Sequence, residues 1–197
     1  MTRKNVTVQI MLGGQSTRMG TDKALVTLGG RTLLERAVER WQDYGGVLQL
    51  SVGHEDRAGL APSGVTAVAD VYPQRGPMGG LHAGLRVCDT EYLLLTAVDS
   101  PFVTCEMADQ LLAAAEESAC DACVYTLDGK PQPLFGLYRK SCLSVAEELL
   151  EAGENKMGLL LRRVDTRYLV GADEALFRNL NTPEELAEAE KQFLLFL

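Results

Sequence analysis

Tyr92-Leu93-Leu94-Leu95-Thr96-Ala97-Val98 is apolar at nearly every position and stops at Asp99-Ser100-Pro101. A strand with one face in water alternates apolar and polar residues, whereas a parallel strand covered by helices on both sides has no polar face to show. The run therefore predicts a central strand buried on both faces. Outward from it, strand-length apolar runs at 6–12, 47–52 and 65–69 alternate with helical patterns at 32–44, 78–88 and 105–118. Such alternation predicts an α/β fold, a Rossmann-like doubly wound, mostly parallel sheet with helices on both faces. Ligands of these sheets collect outside the carboxyl ends of the strands, so the loops after Leu12, Ala69 and Val98 are expected on one rim.

The second half is less regular. A turn at Leu127-Asp128-Gly129-Lys130, a strand-like stretch at 133–138 and helical patterns at 141–152 and 156–163 predict a mixed or antiparallel addition to the sheet. Thr182-Pro183-Glu184-Glu185 places a capping threonine before proline and two carboxylates, which starts a terminal helix. With 197 residues, 46% hydrophobic and 23% charged, a single globular domain over 1–197 is expected, and a disordered or fibrous chain is excluded.

The net charge of -8 has the wrong sign for a surface that holds nucleic acid, so any phosphate binding must be local. No stretch approaches the ~18 apolar residues of a membrane span. The charged start Met1-Thr2-Arg3-Lys4 precedes an alternating run that ends in glycine, which reads as a strand rather than a signal peptide. Five cysteines, Cys88, Cys105, Cys120, Cys123 and Cys142, form no disulfide framework. A cytoplasmic location with reduced thiols is expected.

The loop after the first strand reads Gly13-Gly14-Gln15-Ser16-Thr17-Arg18-Met19-Gly20-Thr21-Asp22-Lys23. Its paired glycines let backbone N–H groups approach a phosphate, and Arg18 and Lys23 supply cations. It matches neither the dinucleotide nor the Walker fingerprint, and a plain strand-to-helix turn remains the alternative. Asp99 ends the most apolar strand, where a hard carboxylate suits Mg²⁺ beside a triphosphate. Asp70, at the end of the 65–69 run, is a second ligand or a contact to the nucleoside; for both, an aspartate satisfying a turn is the alternative. Arg75-Gly76-Pro77-Met78-Gly79-Gly80-Leu81 enters a helix whose positive end would face a nucleotide. Cys120-Asp121-Ala122-Cys123 lacks a second metal-ligating pair and reads as the start of a strand, Trp41 reads as core, and His54 and His82 have no evident partner.

Taken together, Gly13-Gly14, Ser16, Arg18-Met19-Gly20 and Asp22-Lys23-Ala24 resemble the signature of the molybdenum cofactor guanylyltransferases. Asp70, the 76–81 loop, Val98-Asp99-Ser100-Pro101, Gln132-Pro133-Leu134 and Asn179-Leu180-Asn181-Thr182-Pro183-Glu184-Glu185 follow in the family's order. The resemblance implies a nucleotide-diphospho-sugar transferase-like fold and transfer of GMP from GTP to the phosphate of molybdopterin, with release of pyrophosphate. It implies GTP contacts at Met11, Leu12, Gly13, Gly14, Lys23, Asp70 and Asp99, with Mg²⁺ on Asp99. It places Lys156, Asn179 and Asn181 on the pterin side, and a molybdenum or tungsten oxidoreductase apoenzyme as the receiver of the product. Catalysis falls to Arg18 and Lys23, on the leaving pyrophosphate, and to Asp99. Leu12 departs from the family's alanine, which sets a larger side chain beside the base; the related cytidylyltransferases carry Leu-Ala-Ala-Gly, so Gly13-Gly14 favours guanine. A cytidylyl or sugar-phosphate nucleotidyltransferase and a non-catalytic pterin-binding partner remain the competing readings.

Overall fold

The structure is a computed structural model and describes residues 3–13, 22–171 and 173–194. Its strands are β1 (Val6–Met11), β2 (Thr27–Leu28), β3 (Arg31–Thr32), β4 (Val47–Gly53), β5 (Thr66–Ala69), β6 (Tyr92–Ala97), β7 (Ala122–Leu127), β8 (Lys130–Arg139) and β9 (Thr166–Val170). Its α-helices are α1 (Leu33–Trp41), α2 (Gly76–Val87), α3 (Cys105–Ser118), α4 (Cys142–Glu151), α5 (Met157–Arg163) and α6 (Pro183–Leu194). Seven strands form one sheet in the order β5-β4-β1-β6-β8-β7-β9, and β2 and β3 form a small separate hairpin.

All neighbours in the large sheet run parallel except β8, which is antiparallel to both β6 and β7. The reversal is local chemistry. Asp128 and Gly129 take φ of 48° and 75°, and Leu127 pairs with Lys130 across them, a two-residue hairpin turn whose backbone matches strand twist. Because that turn sets the register, β8 begins at Lys130, earlier than the expected 133. The expected helix over 32–44 is shorter too: Thr32 is its cap, in a reciprocal box with Glu35, and α1 ends at Trp41.

Every residue of β6 is buried. Leu94 faces a core formed with α1 and α3, while Leu93 and Leu95 face a second core formed with α2, α4 and α5. This two-sided burial is the reason the strand carries no polar face. Trp41 is 1% exposed in the first core. Under α2 the sheet is polar. Gln9 Nε2 donates to the Gly80 carbonyl at 2.8 Å, and Gln49 Nε2 donates to Gln9 Oε1 at 2.7 Å. A Cβ at Gly84 would lie 1.8 Å from Gln9 Oε1, so the glycine allows α2 to lie this close to β1. Among the described residues, no helix is long and apolar enough to cross a membrane.

Candidate active site

The parallel strands end along one edge. The amide of Val98 donates to the Met11 carbonyl at 2.9 Å, that of Leu12 to Ser51 at 3.1 Å and that of Asp70 to Gly53 at 3.0 Å. The chain leaves β1 toward β4 and β5, then crosses back to β6 on the other side of β1. The loops after β1 and β6 therefore diverge, and the crevice between them is where doubly wound sheets bind their ligands.

Lys23 and Asp99 meet in that crevice. Lys23 opens a short 3-10 turn, Lys23–Leu25, and its Nζ lies 2.5 Å from Asp99 Oδ2 and 2.5 Å from Asn181 Oδ1. The Lys23 and Asp99 side chains are 14% and 15% exposed, so the pair is shielded from bulk water and its charges act over short range with little screening. Asn181 is brought there by the start of α6. Glu185 Oε2 accepts from the amides of Asn181 at 2.6 Å and Thr182 at 3.0 Å, and Thr182 Oγ1 accepts from the Glu185 amide at 3.2 Å. The same segment docks on the β6 loop through Leu180 N to the Asp99 carbonyl at 2.9 Å and Ser100 Oγ to Asn179 Oδ1 at 2.6 Å. One cation, one carboxylate and two amides thus converge from three distant segments.

Other predicted residues separate into groups. Asp70 follows β5 at the start of α2, where a Cβ on Gly79 would lie 3.0 Å from its Oδ2. Its Oδ1 is buried without a hydrogen-bond partner, and burial raises its pKa to about 6. That is the condition of a group that gains from a donor on a ligand. Leu12 is fully buried in the α1 and α3 core, so the volume it adds over alanine is taken up by the core. The side chain of Met11 reaches under α2, its Cε 2.6 Å from where a Cβ on Gly80 would stand. Gly13 has φ of 71° with open space around the missing Cβ, so backbone conformation, not room, calls for glycine. Gly14 and Arg18 lie outside the described residues.

Lys156 is exposed at the start of α5. Gly153, three residues before it, accepts from Arg75 Nη1 at 3.2 Å, which ties this segment to the residues leading into α2. The cysteines are all free, and burial pushes the Cys123 thiol up to about 12, which keeps that thiol protonated and unreactive. His54 is exposed and caps a 3-10 turn, and His82 is buried edge-on to Tyr72; neither enters the site.

Arg57 was not anticipated. It lies in the 3-10 helix Glu55–Leu60 after β4. Its Nη2 is 2.7 Å from Asp22 Oδ2, and its Nη1 donates to the carbonyls of Gly13 at 2.8 Å and Val52 at 3.2 Å. No sequence pattern marks it, because two of its three acceptors are main-chain carbonyls.

The geometry has counterparts. Residues 8–168 match the family described as the MobA-like NTP transferase domain. The chain belongs to that family. A molybdenum cofactor guanylyltransferase of Cereibacter sphaeroides is 40% identical over 189 residues, covering 92% of this chain and 93% of the relative. The crystal structure of molybdopterin-guanine dinucleotide biosynthesis protein A from Archaeoglobus fulgidus superposes with a TM-score of 0.86 at 27% identity, over 96% of this chain and 99% of that one. A 2-C-methyl-D-erythritol 4-phosphate cytidylyltransferase from Thermus thermophilus shares the fold alone, at TM-score 0.70 and 17% identity over 94% of this chain and 98% of that one. As a MobA-like NTP transferase the protein is a nucleotidyltransferase with the fold of the nucleotide-diphospho-sugar transferases.

Proposed function

We propose that the protein transfers GMP from GTP to the phosphate of molybdenum-bound molybdopterin, forming molybdopterin guanine dinucleotide and pyrophosphate. The observation that carries this reading is the convergence of Lys23, Asp99 and Asn181 at the switch point of the sheet. An acceptor phosphate is already ionised at neutral pH, so no general base is required. The acceptor oxygen forms a bond to the α-phosphorus as the bond from that phosphorus to the α,β-bridging oxygen breaks, and the departing pyrophosphate carries away the electron pair. Positioning and charge neutralisation then supply most of the acceleration.

Lys23 and Arg18, on one loop, are the cations for the leaving pyrophosphate. Asp99 fits Mg²⁺, since a single carboxylate completed by phosphate oxygens and water is a common way of holding that ion. Bound there, the ion would neutralise phosphate charge and align the oxygens. Because Lys23 Nζ already contacts Asp99 Oδ2, the ammonium would share that carboxylate or turn toward the phosphates. Asp70, with an unpartnered oxygen, is the contact for the nucleoside, and Asn179, Asn181 and Lys156 lie toward the pterin. The free thiols fit a reducing cytoplasm, and the product would pass to a molybdenum or tungsten oxidoreductase apoenzyme.

Asp99→Ala and Lys23→Ala are each expected to lower turnover by on the order of 10²-fold or more while leaving the fold intact, as read from pyrophosphate release and thermal unfolding. Near-normal turnover in both variants would remove the assignment, and a clear preference of the wild type for CTP over GTP would move it to the cytidylyl branch of the fold.

A further inference from the structure

We infer that Arg57 is a positioning residue for the nucleotide, acting through Asp22 and the turn that carries Lys23. One guanidinium bonds three separate segments. Nη1 takes the carbonyl of Gly13, at the start of the loop, and that of Val52, on β4; Nη2 takes the carboxylate of Asp22, at the loop's end. Val52 belongs to β4, so Gly13 and Asp22 are both tied to the sheet through Arg57. A planar fork with fixed donor directions can satisfy such a set, and a lysine ammonium on a flexible stem cannot reproduce it.

The link continues to the cluster. Asp22 uses its other oxygen, Oδ1, to accept from the Ala24 amide at 3.0 Å, which caps the turn that carries Lys23. Arg57 therefore holds Asp22, Asp22 sets the turn, and the turn aims the Lys23 ammonium at Asp99 and Asn181. The Arg57 and Asp22 side chains are 16% and 20% exposed, so the pair is partly shielded and its loss leaves polar groups without partners.

The inference rests on the reading of Lys23 as a triphosphate contact, and the test separates the two. MgGTP affinity is measured by calorimetry, and the KM of each substrate by pyrophosphate release, for the wild type, Arg57→Ala, Arg57→Lys, Asp22→Ala and the Arg57→Ala/Asp22→Ala double variant. Arg57→Ala is expected to raise the Kd and KM for GTP about tenfold or more, leave the KM for molybdopterin unchanged, and lower the midpoint of unfolding by a few degrees at most. Arg57→Lys should recover part of the affinity, and the double variant should be no worse than the more impaired single variant. Unchanged GTP affinity in Arg57→Ala, an equal rise in both KM values, or additive losses in the double variant would overturn the inference. Should Arg57→Ala not fold, Arg57→Lys carries the test, and a GTP KM at the wild-type value overturns it. A wild type that binds MgGTP in an Arg57-dependent way yet releases no pyrophosphate would sink the transferase reading and keep this one.

Discussion

Asp70 keeps a buried carboxyl oxygen with no hydrogen-bond donor, and its pKa is raised to about 6 by that burial. An unfolded aspartate titrates near ~3.9, so between these values the folded protein holds a proton that the unfolded chain releases. Stability from this residue is therefore present below the lower value and lost as pH rises through about 6. Asp70→Asn should raise the midpoint of thermal unfolding at pH 8 and leave it nearly unchanged at pH 4, and an unfolding series over that range checks it. If the ionised carboxylate accepts from the nucleoside, wild-type GTP affinity should strengthen as pH rises through the same window, and the asparagine variant should show no such rise. Lys23 and Asp99 were legible in the sequence because one belongs to a glycine loop and the other ends an unmistakable strand. Arg57 was not, since its acceptors come from Gly13, Asp22 and Val52 and none of them constrains a pattern around position 57. Leu12, set beside the base by the family resemblance, has its side chain in the core, a position that the resemblance alone does not specify.

Helix α2 is set on the sheet by a close approach of its backbone to two buried glutamines. A Cβ at Gly84 would be 1.8 Å from Gln9 Oε1 and 2.5 Å from its Cδ, so Gly84→Ala should force the helix outward. A loss of roughly 1–3 kcal/mol is expected from overpacking, measurable by urea unfolding. The end of α2 that faces Asp70 would move with it, so GTP affinity should fall alongside. The start of α6 behaves differently. Its Thr182 and Glu185 close a capping box, and Thr182→Ala should cost about 0.5–2 kcal/mol. The element boundaries that were hardest to read share a cause: β8 starts where a turn sets it, and α1 stops where its cap and following turn dictate. β9 went unread because it is a short edge strand, with residues such as Arg167 and Tyr168 exposed and no continuous apolar run.

Across the whole sheet, burial falls from the middle strands toward the edges, and the order of opening should follow. Amides of β1 and β6, enclosed between two cores, are expected to exchange hydrogen only on global unfolding, while those of β9, with Val170 86% exposed, exchange earlier by local opening. Hydrogen exchange resolved by peptide tests this ordering; β9 protection equal to that of β6 would contradict it. The doubly wound class and the shared rim followed from the alternation of runs, because a sheet covered on both faces leaves that imprint on every central strand. The place of β8, between β6 and β7, did not, since strand order depends on pairings between distant segments. One of those distant joins sets a timetable. Lys23 finds Asn181 from 158 positions away, and Leu180 reaches back to the carbonyl of Asp99. During synthesis on the ribosome, the glycine loop and its aspartate emerge well before the asparagine that completes their cluster, so a nascent chain can have the rim and still lack the assembled site.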